Sequence, residues 1–284
     1  MTATAARGPA AASRIKLQVL PIPALIGALI LAVMIALALL APLVTTTTPL
    51  QTDLAGALRG PAAGHPFGQD RLGRDVFAQV AHGARASLLI AIAVVTLTAL
   101  VGVATGAAAG YVGGAVDVVI MRIVDIFLAF PGILLAIALA GVLGPNLVNL
   151  VIALAVMGWV GYARLVRAQV LGLREREYVV AARAVGAGPW RIVSRHILPN
   201  ALSPVIVQAT FGAAGVIIAE SSLSFLGLGP QDVPTWGGLL SQGAAYLLYA
   251  PHIAFFPGLF IMLTVLALNL VGDALRDILD PRTR

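Results

Sequence analysis

The sequence contains no cysteine. It can form no disulfide and offers no thiolate to a metal, and its redox compartment does not follow from it. Charge is nearly as scarce. Asp, Glu, Lys and Arg make up 11% of the 284 residues, against about 25% in an ordinary soluble domain. With 60% apolar residues, that scarcity excludes a soluble globular chain and predicts an all-α, polytopic membrane bundle. There is no Gly-x4-Gly-Lys-Ser/Thr run to cradle phosphates, so ATP and its Mg would be bound by a partner chain, and no cofactor is expected in this one. Neither a nucleophile–base arrangement nor paired carboxylates can be read, so no catalysis is expected. The net charge of +6 does not argue for a nucleic-acid partner. Of the 18 basic residues 17 are Arg, and most lie between or beside apolar runs, where orientation in a membrane accounts for them.

Apolar runs long enough for a hydrocarbon core of about 30 Å set the organisation. Residues 1–21 form an Ala-rich tail with Arg7, Arg14 and Lys16. The uncharged run 22–43 is too long for the core of a signal peptide and is expected to stay attached as the first span. Residues 44–85 form a polar outer segment, mostly loop, ending in an amphipathic helix. Its His65 and His82 have no Cys or acid at ligand spacing, so no metal is expected. The core, 86–272, holds five spans: 86–109, with Gly102 and Gly106 set for close helix contact; 118–142, kinked at Phe130-Pro131-Gly132; 147–163; 203–226; and 253–271, which opens on a second Phe256-Pro257-Gly258. A tail, 273–284, follows. With both termini inside, 14 basic residues lie on the inner side and four outside, the arrangement that the positive-inside rule favours.

One stretch interrupts this apolar pattern, the loop 164–200 and above all VAARAVGAGPWRIVSRHILPN, Val180 to Asn200. Ahead of Gly186 the apolar residues recur at helical spacing. Gly186 frees the chain to turn, and Pro189 restarts a helix at the position where its missing donor is not needed. The second short helix, 187–196, carries Trp190, Arg191, Arg195 and His196 and ends at Leu198-Pro199. Two short basic helices between membrane spans make a peg for something outside the membrane to grip.

Ala181-Ala182, Gly186 and His196-Ile197-Leu198-Pro199, at these spacings, resemble the "EAA" loop of bacterial ABC importer permeases, and the longer string from Glu177 to Asn200 resembles their dipeptide, oligopeptide and nickel branch. The string AESSLSFLGLG (219–229) and the ending 256–282 carry the same resemblance, which spans roughly 65–284. It departs from the family at the loop's first position, where Val180 stands in place of Glu and Glu177 lies about one turn earlier.

The resemblance implies the type I importer fold with six transmembrane helices and a permease subunit, not an enzyme, that forms half of a translocation path for di- or oligopeptides. It implies a heterodimer with a second permease, two ATPase subunits and an extracytoplasmic binding protein, in a bacterial inner membrane with both termini cytoplasmic. It also implies that Glu177, Ala181, Ala182, Gly186, Ala187, Trp190, Arg191, Arg195, His196 and Pro199 dock the ATPase. The alternatives are a related permease for nickel, haem or another small solute, an ion-coupled secondary carrier, and a membrane scaffold that transports nothing.

Glu220 lies deep in the fifth span, where an ionisable group must face the bundle or a wet cavity. One reading is a packing contact with Ser221, Ser222 or a neighbouring helix; the other makes Glu220, Ser221 and Ser222 part of the path. Asp125 and Asp273 are the nearest candidates for a proton relay with it, and both sit toward the inner interface. Trp236, Tyr246 and Tyr249 are expected as interfacial anchors.

Overall fold

The computed structural model describes residues 21–45 and 47–279, so the expected N-terminal tail, but for Pro21, and the end of the C-terminal tail, 280–284, lie outside the described residues. The described chain folds as helices α1 (Ile22–Val44), α2 (Val76–Val112), α3 (Gly114–Leu128), α4 (Gly132–Leu143), α5 (Leu147–Leu173), α6 (Glu177–Ala184), α7 (Pro189–Ile192), α8 (Leu198–Phe225), α9 (Trp236–Ala244) and α10 (His252–Leu279). Five helices are long and apolar enough to cross a membrane: α1, α2, α5, α10, and the continuous run Pro189–Phe225.

Helices α3 and α4, which meet at 83°, are apolar enough to cross only when taken together as one bent pair. At 12 residues α4 reaches only about 18 Å, too short to span alone. The expected kink at Phe130-Pro131-Gly132 is thus a full break, with Pro131 serving as the extended residue ahead of α4. The second Phe-Pro-Gly behaves otherwise, since Pro257 lies inside an unbroken α10.

α2 begins ten residues earlier than the apolar run alone indicates, because Asp75 caps it. Its carboxylate accepts from the amides of Phe77 at 2.8 Å and Ala78 at 3.4 Å. The 37 residues of α2 make a rod of about 55 Å that runs beyond the hydrocarbon core. Its small residues let α5 approach closely. A Cβ on Gly106 or Gly110 would lie 2.9 Å from Val166 Cβ or 2.8 Å from Val170 Cβ.

Hydrogen bonds and contacts fix which ends of the helices coincide. Arg174, just after α5, donates to Gly110 O near the end of α2 at 3.0 Å. Pro199 and Leu279 line one cavity. Thr45 meets His82, and His252 meets Gln69 O at 3.1 Å. Pro21, the loop and Leu279 therefore share one end of the bundle, termed the loop end. The segments 47–75 and 226–251 share the other, the knot end.

Candidate functional site

At the loop end, α6 closes on a two-bond glycine cap. Ala187 N donates to Ala182 O at 3.0 Å and Gly186 N to Arg183 O at 3.0 Å, with Gly186 at φ +84°. This is the Schellman arrangement, and a non-glycine residue is strained at that φ. Ala187, next in the chain, packs against the apolar cluster beneath the loop. Ala181 and Ala182 sit on α6 above it.

The second helix, expected over 187–196, extends further in the structure. α7 runs through a five-residue π-helical stretch, Val193–Ile197, straight into α8. The physical reason lies at Pro199, which lacks an amide donor. In the wide turn ahead of it Leu198 N reaches back five residues to Val193 O, so the chain passes into the proline without breaking. The wide turn also lets Ile192 and Ile197, five apart, both be buried, with Val179, Val166, Val170 and Val205 around them.

The loop's underside is thus fixed and its upper face bare. Trp190 is 80% exposed, and Val185 is 86% exposed. Arg191 and Arg195 are exposed four residues apart, and His196 is half-buried in the π stretch, its carbonyl accepting from Asn200 at 2.8 Å. Glu177 and Val180 are both exposed, and neither side chain has a hydrogen-bond partner among the described residues.

A clamp that the sequence reading missed ties the loop to its neighbours. Arg167 forms a bidentate pair with Asp117, Nη2–Oδ2 at 2.7 Å with Nε to Oδ1 beside it, joining α5 to the start of α3. Arg174 joins the end of α5 to Gly110 O. No local pattern marks a pair separated by 50 residues.

At the knot end, Glu220 is fully buried. Its Oε1 accepts from Ser224 Oγ at 2.7 Å, and its Oε2 from Ser87 Oγ at 3.3 Å and Ser221 Oγ at 3.4 Å. Ser87 in turn accepts from Trp236 N at 3.3 Å, and the Trp236 indole donates to Val80 O at 3.0 Å. One carboxylate thereby pins α2, α8 and α9 together. Ser222 stands apart, exposed, its hydroxyl returned to Ile218 O at 2.8 Å. Glu220 and Ser221 thus tie helices together, and neither Asp125 nor Asp273, both exposed, is a hydrogen-bond partner of Glu220 among the described residues.

Trp236 corrects a second expectation. It is fully buried against Val76, Val80 and Leu239 and is no lipid-facing anchor, whereas Tyr249 is 83% exposed. His65 Nδ1 lies 3.2 Å from Asp75 Oδ2, the acid that caps α2, so an acid ten residues away in sequence does stand beside this His.

Comparisons with known proteins agree with this architecture. Residues 102–284 match the family described as binding-protein-dependent transport system inner membrane component. The dipeptide transport system permease protein DppC of Alkalihalophilus pseudofirmus is 45% identical over 262 residues, covering 92% of this chain and 86% of that protein. The oligopeptide transport system permease protein OppC of Bacillus subtilis is 41% identical over the same shares. The glutathione transport system permease protein GsiD of Pectobacterium atrosepticum is 45% identical over 226 residues, 79% of this chain and 75% of that protein. With its all-α bundle, five long apolar helices and one broken pair, this multi-pass membrane chain belongs to the family of binding-protein-dependent transport system inner membrane components, the permeases of ABC importers.

Proposed function

We propose that this chain is one of two permease subunits in an ATP-driven importer of short peptides, and that the 177–200 loop is where it takes up the motion of the ATPase. One observation carries the reading: a loop fixed below by Ile192 and Ile197 presents an 80%-exposed Trp190 with Arg191 and Arg195 alongside. A large aromatic with adjacent cations is the composition of an interface anchor. Peptides as cargo rest on the relatives, which are named for dipeptide, oligopeptide and glutathione transport.

In this reading the complex contains this chain, a second permease, two ATPase subunits that bind ATP and Mg, and an extracytoplasmic protein that delivers the peptide. The loop end faces the cytoplasm, which puts both termini there and agrees with the 14-to-4 division of basic residues. Glu177, Ala181, Ala182, Gly186, Ala187, His196 and Pro199 hold the peg's shape and approach, while Trp190, Arg191 and Arg195 meet the partner. A shift of the peg passes through Ile192 and Ile197 into α8, and through Arg174 and Arg167 into α2 and α3. The two permeases then rock between inward-open and outward-open arrangements.

The test is reconstitution of the complete complex in liposomes with its binding protein and a radiolabelled dipeptide. ATP enclosed with the ATPase subunits should drive uptake, and non-hydrolysable ATP should not. Uptake driven by an ion gradient without ATP would contradict the proposal.

A further inference from the structure

Two cavities of the described chain meet at one side chain. The wider, about 920 Å³, opens at the loop end between α5, α8 and α10, and its wall includes Gln169, Asn200, Ser203 and Arg276. The second, about 420 Å³, lies farther along between α2, α4, α5 and α8. Its lining is apolar except for Thr98, Tyr162 and Gln208, and it carries no charge. Gln208 lines both cavities.

These polar groups are not equivalent. The Thr98 hydroxyl is used up within its own helix, on Val94 O at 2.8 Å. The Tyr162 hydroxyl is buried without a partner among the described residues, close against Gly212, where an added Cβ would stand 2.8 Å away. Gln208 lies in the interior of the 28-residue α8, exposed, and its carboxamide has no hydrogen-bond partner among the described residues. Most hydroxyls and amides in these spans fold back on their own helix, as those of Thr105, Thr210, Thr264 and Asn269 do. A carboxamide facing hydrocarbon would leave two donors and an acceptor unmet, so Gln208 must face water, a passing solute or another chain.

We infer that Gln208 forms the polar station of the translocation path, where its carboxamide hydrogen-bonds the main-chain amides of a peptide passing between the two cavities. The inference rests on the importer reading above and names its site. The carboxamide both donates and accepts, which matches a peptide group on both counts. Around it the wall is apolar and uncharged, with open space over Gly215, so side chains of any kind can pass. Recognition is thereby directed to the peptide bond common to all such cargo. It also assigns the path to α5 and α8, away from Glu220.

The test uses the complete complex in liposomes with Gln208→Leu and Tyr162→Phe. Peptide imported per ATP hydrolysed should fall about tenfold for Gln208→Leu, the range expected for one lost hydrogen bond, and hold for Tyr162→Phe. Tyr162→Phe serves as the control, because a buried hydroxyl without a partner contributes nothing to the fold and its removal should leave the melting temperature unchanged or raised. A single cysteine at Gln208, the only one in the chain, should react with a charged, water-soluble thiol reagent supplied at the loop end, and bound peptide should slow the reaction. Unchanged coupling in Gln208→Leu, or a Cys at 208 that stays unreactive because the second permease covers it, would overturn the inference. Loss of ATP-driven uptake in the unaltered complex would instead contradict the importer reading, and the labelling would still decide whether water reaches Gln208.

Discussion

Trp236 and Trp190 sit at opposite ends of the bundle in opposite surroundings. Trp236 is fully buried: its indole donates to Val80 O, and its ring lies 6.0 Å from that of Phe260. Trp190 is 80% exposed, with no hydrogen bond from its indole to the described residues. The difference separates what holds the protein together from what it offers to a partner. At the knot end the buried carboxylates among the described residues are matched within the chain: Glu220 with three serines, Asp70 with the amides of Leu72 and Arg74, Asp75 with the start of α2. At the loop end the matched groups lie underneath, and the aromatic and cationic side chains above are left open.

Substitutions at the two ends should therefore fail differently. The largest effect falls on Trp236→Ala, which empties a buried volume and removes the indole's hydrogen bond to Val80 O; it should cost about 3–5 kcal/mol. Thermal denaturation in detergent, followed by size exclusion, should show little folded protein. Trp236→Phe keeps most of the volume and should cost about 1 kcal/mol for the lost hydrogen bond.

Next comes Glu220→Leu. It leaves the hydroxyls of Ser87, Ser221 and Ser224 without their shared acceptor, at about 1–3 kcal/mol, and complex recovery should fall. Glu220→Gln keeps an acceptor and the shape, so it should assemble and retain most of its ATP-driven uptake. A normally assembled Glu220→Gln complex that hydrolyses ATP and imports nothing would blur the division between the two ends, because the knot would then act in transport.

A smaller structural effect is expected for Gly186→Val. No atom stands within 4 Å of the position its Cβ would take, so the cost is the backbone strain of a β-branched residue at φ +84°, about 1–2 kcal/mol and confined to the loop. Membrane insertion should be normal, while ATPase co-purification and uptake decline together.

The two Phe-Pro-Gly tripeptides explain how much of this was legible in the sequence. Both read as kinks. At 130–132 the chain breaks, with Phe130 53% exposed and no ring stacked on it. At 256–258 the helix continues, because Phe256 stacks on Phe67 at 3.9 Å and Pro257 is buried beneath α9. Proline removes one helix hydrogen bond in both places, and contacts from residue 67, distant in sequence, decide whether the helix survives the loss. The long apolar runs, the turn at Gly186 and the basic character of the loop are local properties, and each could be read. The partners of Glu220 could not, since Ser87 and Trp236 join it only through the packing of α2, α8 and α9. The merging of α7 into α8 was hidden for a related reason: Pro199 reads as a stop unless the wide turn ahead of it is known.

The most direct test of the division between knot and peg is Trp190→Ala, measured twice on the same preparation. An exposed side chain without a hydrogen bond should leave the melting temperature of the isolated permease within the change expected for about 0.5 kcal/mol. In the same preparation, the affinity for the ATPase subunits should fall at least about tenfold, as for loss of an interface anchor. Unchanged ATPase affinity would contradict the docking role of the loop, and so would a loss of affinity matched by a loss of permease stability.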